Sequence, residues 1–139
     1  MKLGLFTPVF GGLEVKQMLA KVQALGKVQA LEIGTGGWPG NGHLDMECLL
    51  GDKGRLANYR SMIADAGLTI SALSCHGNPL HPNADVARQY DDVFRKTVCL
   101  AHRMEVPVVV TFSGCPGDSE DARHPNWVTT PWPPEFLEV

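Results

Sequence analysis

Along the chain, short continuous apolar runs typical of strands alternate with apolar positions at the three-to-four-residue spacing of a helix. The apolar run from Lys2 to Phe6 has the length of a strand. Apolar side chains then recur at the spacing of an amphipathic helix, at Val15, Met18, Leu19, Val22 and Leu25. Gly26 stands where a helix commonly ends, and a second apolar run from Val28 to Ile33 follows almost at once. The pattern predicts strand, helix, strand.

The alternation continues to about residue 112. After a loop from Gly34 to Glu47, Asp45 is in position to cap one helix, whose apolar face is Leu49, Leu56, Tyr59, Met62, Ile63 and Ala66. The third strand is predicted over Leu68 to Ser74. A long helix follows, with the stripe Val86, Tyr90, Val93, Phe94, Thr97, Val98, Ala101 and Met104. Val106 to Phe112 is almost continuously apolar and predicts a strand covered on both faces.

This βαβαβαβ order predicts an α/β protein with a parallel sheet and right-handed crossovers. The loops that follow strands hold nine of the 15 Gly, nine of the 10 Pro, all three Trp and four of the five His. Ligand sites of parallel α/β proteins lie at the carboxyl ends of the strands. We therefore expect any functional site at that edge of the sheet.

Composition narrows the class of protein. The 139 residues suit one domain, and 44% hydrophobic with 19% charged residues indicates a folded chain. The formal charge is −3 and no basic run is present, which argues against a nucleic-acid partner. The apolar runs are too short for a membrane span or a signal peptide. The four Cys form no Cys-x-x-Cys pair, so we expect reduced thiols and a cytoplasmic location.

Two architectures fit four strands: a complete open doubly wound sheet, or about half of an eight-stranded barrel. After the fourth strand the chain is rich in Pro and Gly, and Glu135 to Val139 has the pattern of a helix just begun. This favours the barrel segment. The glycine loop from Gly34 to Gly42 argues against dinucleotide binding, because Pro39 occupies the sixth position of Gly-x-Gly-x-x-Gly and the helix begins about ten residues later.

Several side chains at the strand ends carry candidate chemistry. Glu32, at the tip of the second strand, can act as a general base, a metal ligand or an acceptor for a sugar hydroxyl; the alternative is an ion pair with a nearby Lys or Arg. His76 and His81 follow the third strand and suit acid–base work, metal ligation or hydrogen bonding, or else cap a turn or helix. His43 offers the same chemistry in the second loop.

Aromatic rings and one carboxylate complete this set. Trp38, Trp127 and Trp132 lie in loops, where a flat ring can hold the C–H face of a sugar; the alternative is a small core that folds the Pro-rich loop. Asp118 can contact a hydroxyl or a metal, or simply cap or solvate its loop. Cys115 lacks a visible partner that would make it a nucleophile.

Four segments carry a resemblance to a known family: Leu31 to His43, Ser74 to Pro82, Thr111 to Gly117 and Pro125 to Trp127. They resemble the sugar phosphate isomerase/epimerase family, which has a xylose-isomerase-like TIM barrel. The resemblance covers the whole chain, which looks like the N-terminal part of such a (β/α)8 domain, about its first four β/α units. Met104-Glu105 departs from the Leu-Gly-like helix end usual before the fourth strand.

The resemblance implies a divalent metal, Mn²⁺, Mg²⁺, Co²⁺ or Zn²⁺, that binds adjacent sugar oxygens while carboxylates move a proton at carbon. The family's main metal ligands lie at the ends of strands five to eight and have no counterpart here. Related barrels that act on abasic DNA bind metal through a His after the third strand, which makes His76 the local metal candidate. By position, this part of the barrel supplies the wall of a sugar or sugar phosphate site: Glu32, Trp38, His43, His76, His81, Asp118 and Trp127.

The leading hypothesis is a metal-dependent sugar isomerase or epimerase, with Glu32 and His76 as catalytic residues. Alternatives are an inosose dehydratase-type lyase, phosphodiester hydrolysis, or a non-catalytic sugar-binding or assembly module. Four strands alone leave two open edges, so we expect self-association, with two halves pairing into a full barrel as one route, and little activity from the isolated chain.

Overall fold

The computed structural model describes residues 1–126 of the chain. Four strands form one parallel sheet: β1 Gly4–Phe6, β2 Ala30–Gly34, β3 Thr69–Ser74 and β4 Val109–Val110. Their order across the sheet is β1-β2-β3-β4, the same as along the chain. The predicted α/β class and parallel sheet are confirmed. A doubly wound sheet has a strand order that reverses part of the way across the sheet, and the four strands of residues 1–126 show no such reversal.

The segments between strands are helical. A short 3₁₀ helix, Thr7–Phe10, follows β1, and the α-helices are α1 Val15–Ala24, α2 Met46–Gly51, α3 Lys53–Asp65 and α4 Ala84–Met104. One apolar core joins them to the sheet, and it includes Leu31, Ile33 and Leu73 from the strands together with side chains from all four helices. Because successive strand side chains point to opposite faces, Glu32 lies on the face away from this core.

The single helix predicted after Asp45 is two helices. Asp45 caps α2, where its Oδ1 accepts a hydrogen bond of 3.0 Å from the Cys48 N–H. Asp52 then takes extended backbone angles, φ −134° and ψ 112°, and its carboxylate caps α3 by accepting from the N–H groups of Gly54 and Arg55. The prediction was wrong because an Asp between two glycines ends one helix and begins the next.

The fourth strand is shorter than predicted. The apolar run from Val106 to Phe112 predicts a strand covered on both faces, but only Val109 and Val110 form β4, and Val108 is 46% exposed. Within residues 1–126, β4 pairs with β3 alone. Pro107 also has no N–H with which to extend the ladder. The apolar run therefore marks an open edge of the sheet.

Two further expectations concern the state of the cysteines and the length of the apolar helices. Cys48, Cys75, Cys99 and Cys115 are all free thiols. Among the helices of residues 1–126, none is both long and apolar enough to cross a membrane. The predicted helix start at Glu135 and the candidates Trp127 and Trp132 lie outside the described residues.

Candidate functional site

Glu32 and Ser74 meet at the carboxyl ends of β2 and β3. The Ser74 hydroxyl, which is fully buried, donates a hydrogen bond to Glu32 Oε1. Strand register places Phe6 beside Glu32 and Glu32 beside Ala72, so the three side chains share the face away from the core. Glu32 is partly exposed there. One carboxylate oxygen is therefore oriented by the protein, while Oε2 has no such hydrogen bond to Ser74.

Four rings from four different segments gather at this end of the sheet, and we call them the aromatic cluster: Phe6, Trp38, His76 and Phe112. The His76 ring lies between two of them, with centroid distances of 6.1 Å to Phe6 and 4.6 Å to Phe112. Trp38 meets Phe112 edge to face at 5.0 Å. Since Phe6 adjoins both Glu32 in the sheet and His76 in the loop, the cluster brings the two predicted catalytic residues to one region.

Backbone contacts fix the position of Trp38. Its N–H donates to the His76 carbonyl at 2.9 Å, which ties the loop after β2 to the loop after β3. Gly37 has φ 66°, and a Cβ at this position would lie 2.0 Å from the same carbonyl oxygen. Only glycine permits this approach. Gly37 therefore allows the loop after β2 to pack closely against the loop after β3 beside Trp38.

Asn78 joins the loops after β3 and β4, and the sequence did not indicate it. Its side chain is buried and forms two hydrogen bonds of 2.8 Å with the backbone of Cys115, donating to the carbonyl and accepting from the N–H. Asn78-Pro79 marks a turn in the sequence. The partner lies 37 residues further along the chain, so no local pattern could reveal the pairing.

Two buried threonine hydroxyl groups support the site from the helix side. Thr35 Oγ1 donates to the Ser74 carbonyl at 3.1 Å and lies 2.8 Å from Thr97 Oγ1 on α4. Thr97 Oγ1 also lies 2.8 Å from the carbonyl of Val93, and its one proton is donated either there or to Thr35 Oγ1. These bonds hold the ends of β2 and β3 against α4, which fixes the backbone that carries Ser74.

His43 has a different environment from the other candidates. It is buried, and its Nε2 lies 3.1 Å from the Phe10 carbonyl, to which it can only donate. The Tyr59 hydroxyl donates to the His43 carbonyl at 2.9 Å, and burial raises the pKa of Tyr59. His43 thus links the 3₁₀ helix, the second loop and α3, and it is not one of the residues that contact the aromatic cluster.

His81 is held in one tautomer. Its Nδ1 accepts a hydrogen bond of 2.9 Å from the Asn83 N–H, so the neutral ring carries its proton on Nε2. This Nε2 is buried and has no hydrogen-bond partner among the residues that the structure describes. In this state His81 can donate a hydrogen bond to an oxygen but has no free lone pair on Nε2 for a metal.

The remaining candidate residues differ in their exposure, and one of them lies beyond the described residues. Asp118 lies on an exposed turn. Trp127 falls outside residues 1–126. Cys115 is partly exposed, and Cys75 is buried, with burial raising the pKa of its thiol.

A cavity of about 250 Å³ lies beside Phe112, between α4 and the loops after β3 and β4. Its lining residues are Cys75, Gly77, Pro79, Tyr90, Phe94, Thr111, Phe112 and Ser113.

The described residues do not form a metal site by themselves. Within residues 1–126, no three side chains of His, Cys, Asp and Glu come together in an arrangement that would hold a metal ion. His76 could supply at most one ligand, and its ring is flanked by Phe6 and Phe112.

Comparison with known proteins adds one relative. The chain is 33% identical over 141 aligned positions to a protein described as the uncharacterized protein YfiH of Bacillus subtilis (strain 168). The alignment includes the whole of this chain and 44% of that protein, so the chain spans a little under half the length of its relative. A scan against models of protein families finds no match.

Proposed function

We propose that the chain forms part of a sugar isomerase or epimerase barrel, in which Glu32 moves a proton at a carbon next to a carbonyl group. The observation that supports this most directly is the Glu32 carboxylate, held by the buried Ser74 hydroxyl at the carboxyl end of the sheet. A base that is already oriented before the substrate binds loses little entropy in the reaction. Oε2 is the atom proposed to take the proton.

The aromatic cluster supports a sugar as the ligand. Trp38 presents an indole beside Phe112, and the His76 imidazole, which also contacts Phe112 in the same cluster, offers both a donor and an acceptor for hydroxyl or carbonyl oxygens. A flat ring suits the C–H face of a sugar, whereas the carboxylate and imidazole suit its oxygens. In this proposal His76 holds the carbonyl oxygen of the substrate while Glu32 acts at the adjacent carbon.

The barrel part of the proposal rests on topology. Within residues 1–126, four parallel strands in sequential order and one core on one face, to which α1 to α4 all contribute, support a segment of a (β/α)8 barrel. The opposite face carries Glu32 and would then line the barrel interior. The divalent metal that the resemblance implies would need ligands beyond those that residues 1–126 supply. Free thiols suit a cytoplasmic location.

The test is sugar binding followed by carbon-proton exchange. Free and phosphorylated ketoses are added to the full chain in D₂O, with Mn²⁺ or with EDTA. Saturation-transfer NMR reports binding, and loss of the C–H signal next to the carbonyl reports exchange. We expect binding that Trp38→Ala weakens at least about tenfold. Since a general base contributes roughly 10²–10⁴-fold, Glu32→Gln should slow exchange by at least about 100-fold while binding persists.

Glu120→Gln is the matched control, because Glu120 is an exposed carboxylate on a turn. It should leave both binding and exchange unchanged. Binding without exchange in the wild-type chain would replace the enzyme by a sugar-binding module. No binding of any ketose, with or without Mn²⁺, would contradict the proposed substrate class.

A further inference from the structure

Both edges of the sheet are open in the described part of the chain. Within residues 1–126, β1 pairs with β2 alone and β4 with β3 alone. An unpaired edge presents backbone N–H and C=O groups that can pair with another strand. Exposed apolar side chains accompany both edges: Leu3, just before β1, is 56% exposed, and Val108, just before β4, is 46% exposed. Each edge therefore combines unpaired backbone with apolar surface.

The face of the sheet opposite the helices is also uncovered in this region. It carries Phe6, Glu32 and Val110, all partly exposed, beside the buried Ala72 and Ser74. All-parallel sheets in proteins are covered on both faces. An added single strand would pair one edge but would leave the other edge and most of this face open. Whatever covers this sheet has to pair with both edge strands and pack against the open face as well.

We propose that a second copy of this chain provides that cover, so that two copies form a closed eight-stranded parallel barrel. Sequential strand order places β1 and β4 at opposite edges, and a twofold axis along the barrel sets β1 of each copy beside β4 of the other. Rotation about that axis preserves strand direction, so both new pairs are parallel. Eight strands is the number at which side chains just fill a barrel interior.

This arrangement has a consequence for the candidate site. The Glu32 face becomes the barrel interior, and both copies contribute their aromatic clusters to the same end. The inference rests on the barrel geometry of the proposed function and not on its chemistry. A dimer that binds no sugar would therefore contradict the proposed function alone, whereas a monomer that binds sugar would contradict the dimer alone.

The test measures the oligomeric state of the full chain and of edge variants by native mass spectrometry and light scattering after gel filtration. We expect a discrete dimer for the wild type. A lysine on an edge strand opposes pairing, so Leu3→Lys and Val108→Lys should each weaken the dimer at least tenfold. Leu25→Lys is the matched control, because Leu25 is 55% exposed just after α1, and it should remain dimeric.

The two edge variants distinguish the closed barrel from other dimers. In the closed barrel both edges are in each interface, so both variants must dissociate it. Dissociation by only one variant would indicate pairing of like edges and would overturn the proposal, as would a wild-type monomer or an open series of larger oligomers. If circular dichroism shows that either variant is unfolded, hydrogen exchange of the wild type tests the closed barrel instead. The backbone amides of β1 and β4 must then gain protection together as the protein concentration rises.

Discussion

Glu105 occupies a backbone conformation that usually belongs to glycine. It follows α4 with φ 59° and ψ 34°, and it has the only positive φ of a non-glycine residue within residues 1–126. This conformation costs an L-residue about 1–2 kcal/mol. Glu105 also forms an ion pair with Arg60 at 2.5 Å, but both side chains are largely exposed, and such pairs contribute about 0–1 kcal/mol. The backbone strain therefore outweighs the ion pair.

We predict that Glu105→Gly raises the free energy of unfolding by about 0.5–1 kcal/mol, measured by urea denaturation, because glycine removes the strain at this position. Arg60→Ala is the control, since it removes the ion pair and leaves the backbone unchanged. It should lower stability by less than about 1 kcal/mol. A Glu105→Gly variant less stable than Arg60→Ala would show that the ion pair dominates.

At single residues, the sequence predicted positions better than contacts. Glu32 was predicted at a strand tip and lies there, but its partner Ser74 was not predicted. The pairing depends on a register shift between Leu31 and Glu32, which moves β3 by one residue relative to β2. No local pattern reveals such a shift. The buried His43 also has its hydrogen-bond partner, the Phe10 carbonyl, 33 residues away in the sequence.

Among the elements, the junction of α2 and α3 is controlled by one carboxylate. Backbone hydrogen bonds from Arg55 and Gly54 lower the pKa of Asp52 below its ordinary value of 3.8. A lowered folded-state pKa means that the charged cap contributes stability above the unfolded pKa and loses it as pH falls through the folded pKa. The helix start should therefore become weaker in acid.

We predict that Asp52→Asn, which keeps an acceptor oxygen, is less stable than the wild type at pH 7 and that Asp52→Ala is less stable still. Urea unfolding followed by circular dichroism at pH 7 and at about pH 2 measures this. The difference between wild type and Asp52→Asn should vanish in acid. Asp121→Asn, on an exposed turn, controls for charge alone. A difference that persists unchanged in acid would mean that the carboxylate charge has no role in the cap.

Element types were predictable because periodicity separates strands from buried helices, whereas the break between α2 and α3 was not. Gly26 adopts φ 70° after α1, as its position after the apolar stripe predicted, and Gly67 adopts φ 77° after α3 in the same way. Asp52 was missed because an apolar stripe continues across it from Leu49 to Leu56. The stripe reports which face is buried, and both helices bury that face in the same core.

For the whole molecule, the parallel direction of the strands follows from their alternation with helices, whereas the cover of the open face does not follow from any pattern in the sequence. The core on the helix side is continuous and reaches from Met18 in α1 to Met104 in α4. The opposite face has no comparable layer within residues 1–126. The stability of the molecule should therefore depend on what covers that face.

If a second copy covers it, unfolding must depend on protein concentration, because each folded dimer yields two unfolded chains. A tenfold increase in concentration then adds about 1.4 kcal/mol to the apparent free energy of unfolding. With an m value on the order of a few kcal/mol/M, the urea midpoint rises by several tenths of a molar unit. Leu25→Lys should keep this dependence, whereas Leu3→Lys should lose it and unfold at a lower, constant midpoint. A wild-type midpoint that stays constant over a hundredfold range of concentration would mean that the folded unit is a single chain, with the Glu32 face stable without a second copy.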